Sequence, residues 1–325
     1  MNKTLTAMDK SGSFRVHLAI TTDMVEDARK IHHTSPLATA ALGRVLTGAG
    51  LMGVMMKNPK DKLTVQFKGD GPAKEILATA KGSGAVKGYI SVPSVELPLK
   101  EDGRLDVGGA IGIGTLTVIK DQGLKEPYLG RIDLASGEIA EDFTAYFFLS
   151  EQQSTSVVLG VRQTEDGVVS AAGGMILQMM PDGEPGAVEA LEILISSLPS
   201  FSQLVWEAVE EAGAEGPEAA CDALLHKVFD PLPEAYQVRT LDYGDIGWDC
   251  DCSVERLEQV LLSIGETDLR RLVEEDGKAD LTCQFCTKQY HFDRDHMEML
   301  LRVAVKSKEI IAKRKDSKKD KEEPS

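Results

Sequence analysis

Four of the five cysteines in this 325-residue chain fall within 37 residues, as Cys250-Asp-Cys252 and Cys283-Gln-Phe-Cys286, with thirty residues between the pairs. Two close thiol pairs at that separation can close one tetrahedral S4 site, the geometry that structural zinc prefers. The same thiolates can instead be oxidised in neighbouring pairs, and oxidation expels the metal. Cys283 and Cys286 have the common knuckle spacing, whereas Cys250 and Cys252 are tighter than a standard ribbon pair. Polar residues flank both pairs (Asp249, Asp251, Ser253, Thr282, Gln284, Thr287), which is not a buried-core pattern. The expected site is therefore zinc held by Cys250, Cys252, Cys283 and Cys286, with His291 and His296 outside the ligand set. Cys221 stands apart among Ala220, Leu224, Leu225 and Val228 and reads as a buried helical thiol.

The length allows two domains or more, and 42% apolar with 27% charged residues is ordinary for a soluble globular chain. No stretch approaches the roughly 20 apolar residues that span a membrane. Met1 to Ala19 lacks an apolar core after a basic start, so no signal peptide is expected. Cysteines gathered as one metal site fit a reducing cytoplasm. A net charge of −16 argues against nucleic acid as the main partner. The charge is uneven: Glu184 to Thr240 carries eleven acidic against two basic residues, whereas Lys306 to Ser325 carries eight basic against five acidic. The polar, aromatic-free tail is expected to be disordered.

The first 182 residues read as a mixed α/β domain. Strands are expected at Val16 to Thr22, Leu63 to Lys68, Val86 to Ile90 and Tyr128 to Leu134. A hairpin is expected from Ser156–Arg162 and Gly167–Leu177, turning at Glu165-Asp-Gly167. Ser35 and Pro36 open a helix as cap and first residue, with Leu37, Ala41, Val45, Leu46, Ala49 and Met52 at helical spacing. A short helix is expected from Ala73 to Ala80, after the turn Gly69-Asp-Gly-Pro72. Ile139 to Ser150 reads as a helix with Phe143, Phe147 and Phe148 on its apolar face. The run Gly108 to Ile119 precedes a β-rich segment, whereas a dinucleotide fingerprint follows a strand and opens a helix. Its glycines are expected to let strands bend or approach.

After Pro181 to Pro185 three short amphipathic helices follow, near 186–197, 200–212 and 217–229, separated by proline and glycine. Each is too short to persist alone and must dock on something. Val188, Leu191, Leu194, Phe201, Leu204 and Val205 are expected on their inner faces. The whole is an α+β chain with four parts: an α/β domain at 1–182, a helical linker at 183–242, a zinc-binding domain at 243–305, and a charged tail at 306–325.

Trp248-Asp-Cys250-Asp-Cys252-Ser-Val-Glu-Arg256, with Cys283-Gln-Phe-Cys286 and Tyr290-His-Phe292, resembles the zinc signature of the 33 kDa chaperonin family. Ser35 to Arg44, Gly69 to Pro72, Gly137 to Asp142 with Tyr146, Ser150 to Gln152, and Gly173-Gly174 leading to Gln178 resemble its N-terminal domain. The resemblance covers roughly 10–305 and leaves the tail as an extension. It implies a redox-regulated holdase, not an enzyme, in the cytoplasm. The resemblance implies that oxidation to Cys250–Cys252 and Cys283–Cys286 bonds, the family's pairing, releases zinc and unfolds the zinc domain and linker. The six linker residues are then the candidates for binding unfolded proteins, and a homodimer is expected when oxidised. Two other classes stand beside it. A zinc-ribbon docking module for a partner or nucleic acid needs a basic or aromatic surface, but Asp249 to Asp280 is acidic overall. A thiol-disulfide oxidoreductase needs one exposed, low-pKa attacking cysteine.

Overall fold

The computed structural model describes the backbone of residues 1–319 and the side chains of residues 1–306. The chain opens with a hairpin, β1 (Asn2–Asp9) and β2 (Phe14–Thr21). Helix α1 (Thr22–His32) leads to α2 (Pro36–Val54). Ser35 caps α2 by accepting from the Ala38 N–H at 3.2 Å, and Pro36 supplies the fixed φ of a first helical residue. Every residue of α2 from Leu37 to Gly53 is buried except Arg44. A helix apolar on all sides must be surrounded. Here two sheets enclose it. By length and composition α2 could cross a membrane, but 89% of its apolar window is buried in the fold, as in a core helix.

Strands β3 (Lys62–Gly69), β4 (Glu75–Lys81) and β5 (Ala85–Ile90) form a meander. The expected helix at 73–80 is instead β4. Ile76, Ala78 and Ala80 alternate into the core, and this period of two prevails over the helical propensity of the alanines once β3 and β5 pair on either side. The glycine run becomes a one-turn helix, α3 (Val107–Ile111), followed by β6 (Gly114–Asp121) and β7 (Tyr128–Asp133). Helix α4 (Ala140–Ser150) buries Phe143, Tyr146 and Phe147, while Phe148, expected on the same face, is 65% exposed. Gly48 of α2 faces the Phe143 ring, where a Cβ would lie 2.4 Å from Cε2. The Gly137–Asp142 segment has a local reason: the Asp142 carboxylate accepts from the N–H groups of Ala135, Ser136, Gly137 and Ile139. These bonds hold Ile139 at φ 68°, a region costly for a β-branched residue. Strands β8 (Thr155–Gln163) and β9 (Val169–Met179) make the expected hairpin.

Helices α5 (Pro185–Ser197), α6 (Phe201–Ala212) and α7 (Pro217–Phe229) follow, then β10 (Val238–Gly244) and β11 (Gly247–Trp248). The five-stranded sheet has the order β10-β1-β2-β9-β8 and the six-stranded sheet β11-β5-β4-β3-β6-β7. All pairings are antiparallel except β11 with β5. Alternate residues of the five-stranded sheet face opposite sides. Phe14, Val16, Leu18, Ile20, Met175 and Leu177 line the side covered by α5–α7. Ala19, Val157 and Ile176 line the side against α2. The expected linker thus lies inside the first of two compact units, Met1–Asp249; the second is Cys250–Ser325.

The second unit contains α8 (Val254–Ser263), α9 (Glu266–Glu275), the hairpin β12 (Ala279–Thr282) and β13 (Gln289–Phe292), and α10 (Arg294–Lys319). The charged tail expected to be disordered from 306 continues α10 as helical backbone to Lys319, and its last part, 320–325, lies outside the described residues.

His17 of β2 is 8% exposed, with Nδ1 3.2 Å from Thr6 Oγ1. Burial, and then the charge of Arg15, push its pKa down to about 4. The unfolded chain binds this proton near 6.5. The neutral-His stability is therefore full above pH 6.5 and lost as pH falls towards 4, roughly 3 kcal/mol in all. Urea unfolding of the reduced protein between pH 7 and 4 should show this loss, and His17→Gln should flatten it.

Candidate metal centre

The second unit brings together two cysteine pairs separated by thirty residues of chain. Cys250 and Cys252 sit on the extended segment between β11 and α8, fixed at its far end by Ser253, whose Oγ accepts from the Arg256 N–H at 3.3 Å. Arg256 also pairs with Asp251 at 2.8 Å. Cys283 and Cys286 occupy the loop of the β12–β13 hairpin. That loop closes through Thr287 N–H to Cys283 O (2.8 Å) and Cys283 N–H to Lys288 O (3.0 Å), with Thr287 left-handed at φ 60°.

The four Sγ atoms lie within 4.8 Å of one another. Two approaches join the two motifs: Cys250 to Cys283 at 3.7 Å and Cys252 to Cys286 at 3.3 Å. A tetrahedron with Zn–S bonds of about 2.3 Å has sulfur–sulfur edges of about 3.8 Å. The donor set therefore fits a single zinc ion, in size as well as in softness.

Tyr290, on β13, joins the sulfurs. Its hydroxyl lies 3.1 Å from Cys252 Sγ and 3.2 Å from the Cys252 carbonyl oxygen, both acceptors for its one hydrogen. Partial burial works against a Cys252 thiolate. Hydrogen bonds from Tyr290 and from the other three thiols outweigh that burial and hold Cys252 at about 7. Burial pushes the Cys250 thiol up instead. Burial likewise pushes the Cys286 thiol up, so the cluster by itself favours a thiolate at Cys252 while Cys250 and Cys286 are held towards the thiol. Cysteine spacing does not single out Tyr290, whose place beside Cys252 follows only from the fold of the β12–β13 hairpin.

The histidines lie outside the cluster. His291 Nδ1 is 2.6 Å from Asp280 on the exposed side of the hairpin. His296 Nε2 is 2.7 Å from Glu258, and its ring packs edge-on against Phe292. Cys221 is fully buried in α7, its pKa pushed up to about 12 by burial and by Asp222. It makes an inert packing thiol. The core of this unit holds seven buried side chains among the described residues, with Leu269, Phe292 and Met297 at its centre.

The other named residues lie in the first unit. Leu191, Leu194, Phe201, Leu204 and Val205 are buried between their helices and the five-stranded sheet. Val188 is not on the inner face: it is 41% exposed. Because α5 starts at Pro185, its inward stripe is Ala187, Leu191 and Leu194, and Val188 is rotated away. Helix α6 comes close to the sheet at Gly160, where a Cβ would lie 2.6 Å from the Ser202 nitrogen. Polar ties hold the helices at their edges. Tyr243 and Thr240 of β10 donate to Asp222 of α7 (2.5 and 3.1 Å), and Lys3 pairs with Glu218 (3.0 Å).

A family model described as Hsp33 protein matches residues 2–293. The 33 kDa chaperonin of Alkaliphilus oremlandii is 44% identical over 291 residues, 89% of this chain and 93% of that protein. That of Clostridioides difficile is 44% identical over 299 residues, covering 92% and 98%. The crystal structure of the 33 kDa chaperonin (heat shock protein 33 homolog) from Thermotoga maritima superposes with a TM-score of 0.78 at 33% identity, covering 94% of this chain and 99% of that one. With the match running from the first strand through the four-cysteine centre, the chain belongs to the Hsp33 family.

Proposed function

We propose that the protein is a redox-regulated holdase chaperone of the reducing cytoplasm, whose four-cysteine centre holds zinc in the inactive state. The observation that carries this reading is the sulfur cluster itself: four thiols from two distant motifs within 4.8 Å, in a unit with little apolar core of its own. A structural zinc contributes on the order of 10–16 kcal/mol of apparent folding free energy in such small domains. Bound there, it would staple the Cys250–Cys252 segment to the Cys283–Cys286 hairpin loop.

Oxidation removes that staple. A peroxide takes two electrons from each pair of thiols, forming one S–S bond and two waters. With the family's pairing, Cys250 joins Cys252 and Cys283 joins Cys286. Both bonds are then local, and neither connects the two segments. The unit loses its long-range tie and unfolds. Its chain is continuous with β11, where the Asp249 N–H bonds Val86 O at 2.8 Å, so unfolding works directly on the end of the 183–249 segment. The linker helices then leave the sheet and uncover Leu191, Leu194, Phe201, Leu204 and Val205 together with the sheet face beneath. These surfaces bind unfolded polypeptides without turnover. The acidic balance of Glu184 to Thr240 keeps the opened form soluble, and a homodimer is the assembly proposed for it.

The metal assignment predicts one zinc per reduced chain and its loss in the Cys283→Ser/Cys286→Ser double variant, measured by elemental analysis. His291→Ala and His296→Ala should retain it. The switch predicts that peroxide at mild heat releases zinc and starts suppression of the aggregation of a thermally unfolding test enzyme. Equal suppression by the reduced, zinc-loaded protein without stress would overturn it.

The linker predicts constitutive activity from weakened packing. Leu204→Glu puts a charge at a buried site, a loss of roughly 3 kcal/mol or more. Gly160→Val drives a side chain into the α6 backbone, at a cost of about 1–3 kcal/mol. Both variants should suppress aggregation without oxidant while keeping their zinc. Inactive variants whose α6 amides exchange rapidly would separate linker opening from client binding.

A further inference from the structure

Strand β1 has two backbone edges. One is paired with β2 along Asn2–Met8. The other is covered by β10, from Thr4 opposite Gly244 to Asp9 opposite Val238, and continued by Lys10 N–H to Gln237 O at 2.9 Å. The second pairing is the weaker. Its register slips between Thr6 and Ala7, so that Leu241 has no partner on β1, and Leu241 is 48% exposed. A bulge interrupts the ladder. No residue of β10 is fully buried, and a strand held mainly by backbone bonds lies at the low-stability end of a fold. Its side-chain anchors, Tyr243 and Thr240, both end on Asp222 of α7. When α7 leaves the sheet, both anchors go with it.

We propose that the β1 edge, vacated by β10 in the active state, binds clients by strand addition: an extended segment of unfolded polypeptide pairs antiparallel with β1 in place of β10. This rests on the holdase reading above. The occupant is argued from β10, which already shows what the edge accepts. It is an extended chain that turns Val238 and Tyr243 towards the apolar cluster formed with Leu5, Ala7 and Phe14. After α5–α7 have left, those apolar side chains of β1 and β2 flank the open edge. Backbone pairing asks nothing of a client's sequence, and alternate apolar side chains gain burial on the uncovered face. An edge strand with one apolar face is a ready template for such pairing.

Residue-resolved hydrogen exchange on the full chain tests this. The Lys10 amide faces β10, and by strand alternation so does that of Met8, whereas the Ala7 amide faces β2. The peroxide-oxidised protein should lose protection at Met8 and Lys10 and keep it at Ala7. Adding reduced, carboxymethylated α-lactalbumin, a permanently unfolded probe, should slow Met8 and Lys10 again by at least about tenfold. Protection that persists at Met8 and Lys10 in the oxidised, probe-free protein overturns the inference, as does exposure that the probe leaves unchanged. Aggregation suppression measured on the same sample separates the two readings. Suppression without renewed protection removes strand addition alone, and absence of suppression removes the holdase reading and the inference with it.

Discussion

The five-stranded sheet has two apolar faces, and the structure depends on how each is covered. One packs on α2, a continuous helix enclosed on all sides. The other packs on α5, α6 and α7, three helices of 13, 12 and 13 residues broken by proline and glycine. The two covers bury similar chemistry with different persistence. An isolated helix of this length is marginal in water, so the second cover stands only through tertiary contact. Each large side chain in it gains about 1.5–3 kcal/mol by burial.

Those ends are held by modest interactions. The Ser13 hydroxyl accepts from the Glu184 N–H at the start of α5 (3.0 Å), Asp222 joins α7 to β10, and β11 adds two residues to the edge of the six-stranded sheet. Partly exposed ties of this kind contribute little singly. Such a cover has its strength in the apolar faces of its helices and little of it in these ties. The four thiols that could share a metal ion lie just beyond Asp249 in the chain, and in small domains built on a structural metal the binding free energy is folding free energy.

The linker helices were legible in the sequence almost to the residue, because prolines and glycines bound them and their apolar positions repeat at helical spacing. The α2 cap and the β8–β9 turn were legible for the same local reason. Where reading failed, a tertiary partner had decided. Residues 75–81 carry alanines that suit a helix, but pairing with β3 and β5 makes them a strand. Phe148 and Val188 looked inward by composition and lie outward by phase. Strand β1, with Thr, Met and Lys among few large apolar residues, gave no signal of its own and exists because β2 and β10 pair with it.

The sequence by itself determined which four sulfurs could share one ion, since thiol chemistry and the spacing of the two motifs are local properties. It also determined that three short amphipathic helices needed a support. Only the tertiary structure decided that Tyr290 reaches Cys252, that His291 and His296 turn to carboxylates instead, and that the support is the outer face of the five-stranded sheet. The physical reason is range. Caps, breakers and ligand spacing act within a few residues, whereas the partners of a sheet face or a hairpin loop lie scores of residues away and are chosen by packing.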